Sequence, residues 1–359
     1  MKSISTNNYP IHFGENAYSK LNTYLDENDL SKIIVLTDSD TTKYCYDIFI
    51  SKLNKSKNRS FIEISFPKGE ENKNISTCQI IWSSLSEAGA DRSSLIINLG
   101  GGVVTDLGGF VASTFMRGFD FINVPTTLLA MVDASIGGKT GVDLNNIKNQ
   151  IGVINNPSMI IIDPIFLKTL PQIEMNSGFS EMIKHSLISS KNNWDKIKTI
   201  DITDFQIGYT FYNSILIKSE IVDKDPNEKN IRKVLNYGHT IGHAVESFCL
   251  NSKHHQTLTH GESIAIGMIL EGYISTIKLG FNKDLNNSIN KFFLNIFKKT
   301  KFTDIDINEI IKLLKYDKKN RNGEINFVLL KDIGEVVIDQ KVDDKLIKES
   351  FLYYLNELR

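Results

Sequence analysis

Ser94-Leu-Ile-Ile-Asn-Leu-Gly-Gly-Gly-Val-Val-Thr-Asp106 runs from an apolar stretch through three glycines into a helical pattern. A short β-rich run that ends in glycine and opens a helix is the joint of a βα unit. Glycines let the backbone approach a pyrophosphate closely, and the start of the helix offers unpaired N–H groups and the positive end of a dipole. The G-x-G-x-x-G spacing is incomplete, because Thr105 stands at its sixth position. A plain glycine turn is therefore the competing reading of a segment that predicts dinucleotide binding.

Working outward, further β-rich runs occupy residues 32–37, 61–66, 120–124 and 159–163, with helical patterns over 73–88 and 104–114. Strands alternating with helices imply βαβ units and a parallel, Rossmann-like sheet. Beyond Asp163-Pro164 to Pro171 the pattern changes. Helical stretches are expected over 173–190, 203–223, 231–249, 261–279, 284–298 and 343–357, interrupted by a β pair at 325–330 and 335–339. The expected fold is α/β, a Rossmann-like parallel-sheet domain over 1–172 followed by a mainly α-helical domain over 173–359.

A chain of 359 residues favours two cores over one. It is 41% hydrophobic and 23% charged with a net charge of −1, so no basic field points to nucleic acid. Three scattered cysteines, Cys45, Cys78 and Cys249, make neither a disulfide framework nor a zinc ribbon and favour a reducing cytoplasm. The N-terminus lacks an apolar signal region and no apolar run has membrane-span length. A soluble, cytoplasmic chain is expected.

The densest chemistry lies in Arg232-Lys-Val-Leu-Asn-Tyr-Gly-His-Thr-Ile-Gly-His-Ala-Val-Glu246, followed by His260-Gly-Glu262. Three of the chain's seven histidines fall here, beside an arginine and an asparagine. On a helix, His239 and His243 would share a face. Imidazoles so placed suit a divalent metal, and the arginine suits an anionic substrate. Spacing alone leaves open which histidines ligate, and no glutamate follows His239 to serve as a protease base. His254 and His255 sit in a loop-like stretch and are expected to be exposed.

Two other segments supply partners. Pro125-Thr-Thr-Leu-Leu-Ala-Met-Val-Asp-Ala-Ser-Ile-Gly-Gly-Lys-Thr140 ends like a phosphate-binding P-loop, but Asp133 stands where the first glycine belongs. It reads as a strand-end loop carrying Thr126, Thr127, Asp133 and Lys139, followed by Lys148 and Asn149. In Ser177-Gly-Phe-Ser-Glu-Met-Ile-Lys-His185, Glu181 and Lys184 are spaced for a surface ion pair. Glu181 could instead complete a two-histidine, one-carboxylate set with an open position, the arrangement of a catalytic zinc.

These blocks, with Tyr9-Pro-Ile, Met116-Arg-Gly118, Asp317-Lys-Lys319 and Phe327-Val-Leu-Leu330, resemble 3-dehydroquinate synthase over essentially the full length. The resemblance implies an NAD-binding Rossmann-like domain, a helical domain, and one divalent ion, zinc or cobalt. It implies conversion of 3-deoxy-D-arabino-heptulosonate 7-phosphate to 3-dehydroquinate and phosphate, a step of the shikimate pathway. The reaction would run through transient oxidation, phosphate loss, re-reduction, ring opening and aldol closure.

Carried over residue by residue, the metal ligands would be Glu181, His239 and His260, with His243 beside the substrate. The cofactor would meet Asp38, Glu70, Lys73, Gly101, Gly102, Val103, Asp106, Thr126, Thr127, Asp133, Lys139, Lys148, Phe166 and Thr169. Substrate and chemistry would involve Asp133, Lys139, Asn149, Lys184, Lys218, Arg232, Asn236, His243 and one of Lys318 and Lys319, the latter preferred. Arg117 would serve the phosphate site of a neighbouring subunit, which implies a homodimer. Thr105 departs from the glycine common in the family's loop and could crowd the pyrophosphate, and the segment from 244 to 259 is long.

Other readings are an amino-dehydroquinate synthase, another sugar phosphate cyclase, or a metal-dependent polyol dehydrogenase. Lys218, Arg232 and Asn236 weigh against cyclases whose substrates lack a carboxylate.

Overall fold

Runs such as Leu95–Gly100 and Phe121–Pro125 have apolar side chains on both faces, and both strands are buried along their whole length. That is the pattern of central strands in a parallel sheet covered on two sides. A computed structural model describes all residues except 55–59, 145–146, 203–207, 316–324, 357 and 359. The chain divides into two compact units, Met1–Pro171 and Gln172–Arg359.

The first unit is built on β1 (Ile4–Ser5), β2 (Pro10–Phe13), β3 (Ile33–Asp38), β4 (Phe61–Phe66), β5 (Leu95–Gly100), β6 (Phe121–Pro125) and β9 (Met159–Ile162). They form one sheet in the order β1-β2-β9-β6-β5-β3-β4. Every pairing is parallel except β1 with β2. The helices α1 (Glu15–Glu27), α2 (Ile75–Glu87) and α3 (Gly102–Thr114) lie in this unit. Ile34, Leu36, Ile96, Cys78, Ile81, Val104, Leu107 and Val111 share one core cluster. Each large aliphatic buried there contributes about 1.5–3 kcal/mol.

The chain moves outward from β3 to β4, then returns to the other side of β3 to lay down β5 and β6. The order therefore reverses between β3 and β5, and a crevice opens beyond the carboxyl ends of strands at such a switch point. The strand runs expected from the sequence correspond to β3, β4, β5, β6 and β9. The segment expected as a loop with Lys139, Lys148 and Asn149 is instead an antiparallel hairpin, β7 (Lys139–Leu144) with β8 (Ile147–Ile154). It packs on α3. Short, mixed-polarity strands carry a weak period, which hid both this hairpin and the β1–β2 edge.

The second unit comprises α4 (Gln172–Ser189), α5 (Lys191–Ile197), α6 (Gly208–Lys224), α7 (His239–Asn251), α8 (His260–Leu279), α9 (Lys283–Ile296), α10 (Asp304–Lys315) and α11 (Asp344–Asn356), with an antiparallel pair β10 (Asn326–Asp332) and β11 (Glu335–Lys341). The single helix expected over 231–249 is broken. Ile231–Asn236 forms a tight 3-10 turn, and α7 begins only after Gly238, whose φ of 79° belongs to the left-handed region. Glycine takes that conformation without a Cβ penalty. The helices α5 and α10 were not expected, although Ile307, Ile310, Ile311 and Leu314 of α10 are buried at helical spacing. Residues 203–207, included in an expected helix, lie outside the described residues. Among the described residues no helix is long and apolar enough to cross a membrane.

Candidate functional site

In the first unit, candidate cofactor residues gather at the carboxyl ends of β3, β5 and β6. Asp38 ends β3, where its carboxylate accepts the backbone N–H groups of Asp40 at 3.0 Å and Thr41 at 2.8 Å. Gly100 ends β5, and Gly101, Gly102 and Val103 enter α3, whose first-turn N–H groups face the switch point. Thr126 follows β6 and donates its N–H to the Gly100 carbonyl at 3.0 Å. Thr127 Oγ1 accepts the N–H of Ala130 at 3.2 Å. Thr105, which departs from the glycine pattern, is buried and turns its hydroxyl back to the carbonyls of Gly101 and Gly102.

A charged network joins several of these residues to the hairpin. Lys73 is buried and places its ammonium 2.6 Å from both Asp106 Oδ2 and Asn149 Oδ1. Burial alone would lower its pKa, but the carboxylates of Asp106 and Glu70 hold it above the usual lysine range. Lys148 pairs with Glu70 at 3.0 Å. Asn149, with a φ of 51°, donates its N–H to Asp143. Glu70, Lys73, Asp106, Lys148 and Asn149 are thus one cluster, although the sequence reading put Asn149 with the substrate.

Burial raises the Asp106 pKa and the charges of Glu70 and Asp133 raise it further, so Asp133 shares this electrostatic neighbourhood. Asp133 lies in the turn Ala130–Ala134 and Lys139 is exposed at the start of β7. Phe166 is buried in the turn Pro164–Thr169, where Thr169 donates to the Phe166 carbonyl at 3.4 Å. Arg117 is exposed on a turn in which Met116, Arg117 and Gly118 all have positive φ. Two consecutive non-glycine residues in that region mark backbone held against its preference.

In the second unit the histidine segment folds back on α4 and α8. His239 opens α7 with His243 one turn on, and His260 opens α8. Their rings lie 5.1 to 5.7 Å apart between centroids, and one ligand atom of each falls within 4.8 Å of the others. Glu181 is fully buried on α4, with Oε1 3.5 Å from His239 Nε2 and 3.7 Å from His260 Nε2. Lys184 contacts the other oxygen, Oε2, and is itself buried, so the expected surface ion pair is an interior one.

The tautomers follow from the remaining ring nitrogens. His239 Nδ1 lies 3.1 Å from the Tyr237 carbonyl, which can only accept, and His260 Nδ1 lies 3.3 Å from Glu246 Oε2. With protons on Nδ1 and an ion bound, both Nε2 lone pairs would be free to face it beside Glu181. Ligands held at 2.0–2.1 Å around a tetrahedral ion sit roughly 3.4 Å from each other. The observed 3.5 and 3.7 Å spacings fit that requirement. Burial would lower the His260 pKa, yet Glu246 and Glu181 raise it to about 9, so the surroundings favour positive charge. A divalent ion answers the same field, and two imidazoles with one carboxylate leave a position open.

The anion-binding candidates lie on neighbouring elements. Lys218 on α6 and Arg232 are buried. Arg232 Nη1 donates to the Pro226 carbonyl at 2.7 Å, while Asp225 accepts the backbone N–H groups of Lys229, Asn230 and Arg232 at 3.0, 2.6 and 3.1 Å. Burial would raise the Asp225 pKa, but these three donors hold it below the usual range. Asn236 donates from Nδ2 to Glu228 at 2.6 Å. Lys318 and Lys319 lie outside the described residues. His254 is exposed, whereas His255 is half-buried, 3.2 Å from Asp306 and stacked on Phe302.

The sequence reading passed over the carboxylates that orient these groups, Asp225, Glu228 and Glu246. Glu246 lies one turn beyond His243 on α7, an available signal, but its contact with His260 depends on packing of α7 against α8.

The sequence is similar to known proteins across its length. Residues 63–177 match the family described as 3-dehydroquinate synthase N-terminal, and residues 178–320 match 3-dehydroquinate synthase C-terminal. The 3-dehydroquinate synthase of Parabacteroides distasonis is 38% identical over 341 residues, covering 94% of this chain and 95% of that protein. A crystal structure of 2-deoxy-scyllo-inosose synthase complexed with carbaglucose-6-phosphate, NAD+ and Co2+ superposes with a TM-score of 0.80 at 25% identity, covering 98% of each chain. A 2-epi-5-epi-valiolone synthase from Streptomyces hygroscopicus subsp. jinggangensis 5008, with NAD+ and Zn2+ bound, gives a TM-score of 0.86 at 21% identity and 99% coverage of each chain, a likeness of fold.

Proposed function

The chain belongs to the 3-dehydroquinate synthase family, and from that premise we propose that it converts 3-deoxy-D-arabino-heptulosonate 7-phosphate to 3-dehydroquinate and phosphate. It is a phosphorus–oxygen lyase of the shikimate pathway that uses NAD and one divalent metal, zinc or cobalt. The observation that carries this reading is the convergence of His239 Nε2 and His260 Nε2 on a buried Glu181 oxygen.

When bound, the ion supplies Lewis acidity to substrate hydroxyls and the nicotinamide supplies a reversible hydride acceptor. Glu181, His239 and His260 would hold the ion. Glu246 keeps the His260 proton on Nδ1, and the Tyr237 carbonyl does the same for His239. Lys184 occupies the second oxygen of Glu181 and so aims the first at the histidines. Gly101, Gly102 and Val103 would present backbone donors to the cofactor's pyrophosphate, with Asp38, Glu70, Lys73, Asp106, Thr126, Thr127, Lys148, Phe166 and Thr169 around it.

Arg232 and Lys218 would hold the substrate carboxylate, for which a planar guanidinium offers paired donors. Lys139, Asn149, Asn236, His243 and Lys319 would bind the phosphate, together with Arg117 of the partner subunit in a homodimer. Its exposure on a strained turn supports a role for Arg117 outside its own subunit. Asp133 would sit with the reacting sugar, and His243 would position substrate and pass protons through water. The three cysteines are free and buried, which supports a reducing compartment such as the cytoplasm.

The test is phosphate release from 3-deoxy-D-arabino-heptulosonate 7-phosphate, with NAD or metal omitted in turn. Release should require both, without net accumulation of NADH. Release that ignores both omissions contradicts the proposal, and steady NADH production would favour a dehydrogenase.

A further inference from the structure

The helix α7 begins without a side-chain cap. Its N-cap is Gly238, and a Cβ there would lie 2.4 Å from Met268 Cγ, so a serine or aspartate cap is sterically shut out. The cap comes from another helix. Glu271, fully buried on α8, accepts the N–H of Gly238 at 2.7 Å through Oε2 and the N–H of Ile241 at 3.1 Å through Oε1. In a local capping box, two side chains share the work of satisfying the N-cap and third-residue N–H groups. Here one carboxylate does both across a helix interface.

The position of that carboxylate matters because α8 begins at His260 and α7 at His239. Glu271 sits three turns along α8 and grips the first turn of α7, so it sets where His239 stands relative to His260. Contact of the two backbones allows this: a Cβ on Gly267 would lie 1.9 Å from the Gly238 carbonyl oxygen. A matching clamp secures the third ligand-bearing helix, since Ser177 on α4, one turn before Glu181, accepts the N–H of Gly261 at 3.0 Å.

We propose that Glu271 is a positioning residue for the metal site, a cap supplied in trans that holds His239 Nε2 at ligating distance from His260 Nε2 and Glu181. The proposal rests on the reading of Glu181, His239 and His260 as metal ligands. It concerns the backbone of α7, which Glu271 reaches through the N–H groups of Gly238 and Ile241. Its carboxylate also places negative charge at the positive end of α7, which adds to the hold on that turn.

The test is Co2+ binding to full-length protein stripped of metal, measured by competition with a chromophoric chelator and by the visible absorption of the bound ion. Glu271→Gln keeps the volume but turns an amide N–H toward a backbone N–H. It should weaken Co2+ binding by about tenfold or more and alter the visible band, as loss of a supporting partner does at metal sites. Ser275→Ala, one turn further along α8, removes the acceptor of the buried Leu330 N–H and serves as a destabilised control with Co2+ affinity unchanged. Affinity within twofold of wild type in a folded Glu271→Gln protein overturns the proposal.

If Glu271→Gln does not fold, Glu271→Asp decides, because its carboxylate is one methylene short and reaches one N–H at most. Weakened Co2+ binding then supports the proposal. Unchanged binding, or failure of both variants to fold, overturns it by making Glu271 a residue of the fold alone. A His239→Ala control separates this from the ligand reading: Co2+ affinity that survives His239→Ala defeats the ligand reading, while loss there with an unaffected Glu271→Gln defeats only the present inference.

Discussion

Replacing Asp225 by alanine removes the acceptor of three backbone N–H groups at once, those of Lys229, Asn230 and Arg232. The three losses are unequal. Lys229 and Asn230 are exposed, so water can replace the carboxylate and each loss costs about 0.5–1 kcal/mol. The Arg232 N–H is buried, and an orphaned buried donor costs about 1–3 kcal/mol. Asp225→Ala should therefore destabilise the second unit by about 2–5 kcal/mol. Trp194 is buried in that unit and Trp82 lies in the other, so urea unfolding followed by fluorescence in a Trp82→Phe background reports the relevant transition.

The effect carries a pH signature. The Asp225 pKa is lowered in the folded protein, so its contribution is present above the ordinary value of 3.8 and fades as pH falls through the folded pKa. The gap between wild type and Asp225→Ala should be constant near neutrality and close in acid. A gap under about 0.5 kcal/mol near neutrality, the range of a bland surface substitution, would contradict this role for Asp225. So would a gap that persists once the carboxyl is protonated.

Glu246→Gln removes the charge behind His260, and metal affinity should fall about tenfold in a chelator competition while the fold remains intact. Asp106→Asn leaves the buried Lys73 ammonium without its carboxylate. The first unit should lose about 3 kcal/mol in chemical denaturation, and NAD should bind about tenfold more weakly by calorimetry. Gly238→Ala forces a left-handed residue into a space already filled by Met268. It should cost about 1–2 kcal/mol for the conformation alone, read as a lower melting temperature.

How much of this was legible in the sequence depended on where the physical cause lay. The runs that became β3, β5, β6 and β9 are apolar because both faces of a parallel sheet are covered, so composition alone exposed them. The hairpin of Lys139–Leu144 and Ile147–Ile154 was not legible, because its short strands mix polarity and its placement depends on α3. The break at Gly238 was hidden for a related reason: the apolar pattern continues through it, and the left-handed turn shows only against Met268 of α8.

The histidine cluster was half legible. A spacing of four offers His239 with His243, and the fold brings both rings together with His260 from another helix. Glu246 and Glu271 could not be assigned roles from spacing, since what each does is defined by a backbone or ring across the α7–α8 interface. Thr105 shows the converse, an apparent defect in a glycine motif that the local backbone absorbs through its own carbonyls.

His239 and His243, neighbours on α7, would divide their work, His239 on the metal and His243 on the substrate. The most direct measurement is Co2+ affinity and phosphate release for His239→Ala and His243→Ala side by side. His239→Ala should lose the ion together with turnover, while His243→Ala should keep the ion at near wild-type affinity and lose turnover. A His243→Ala protein that no longer binds Co2+, beside a His239→Ala protein that does, would contradict it.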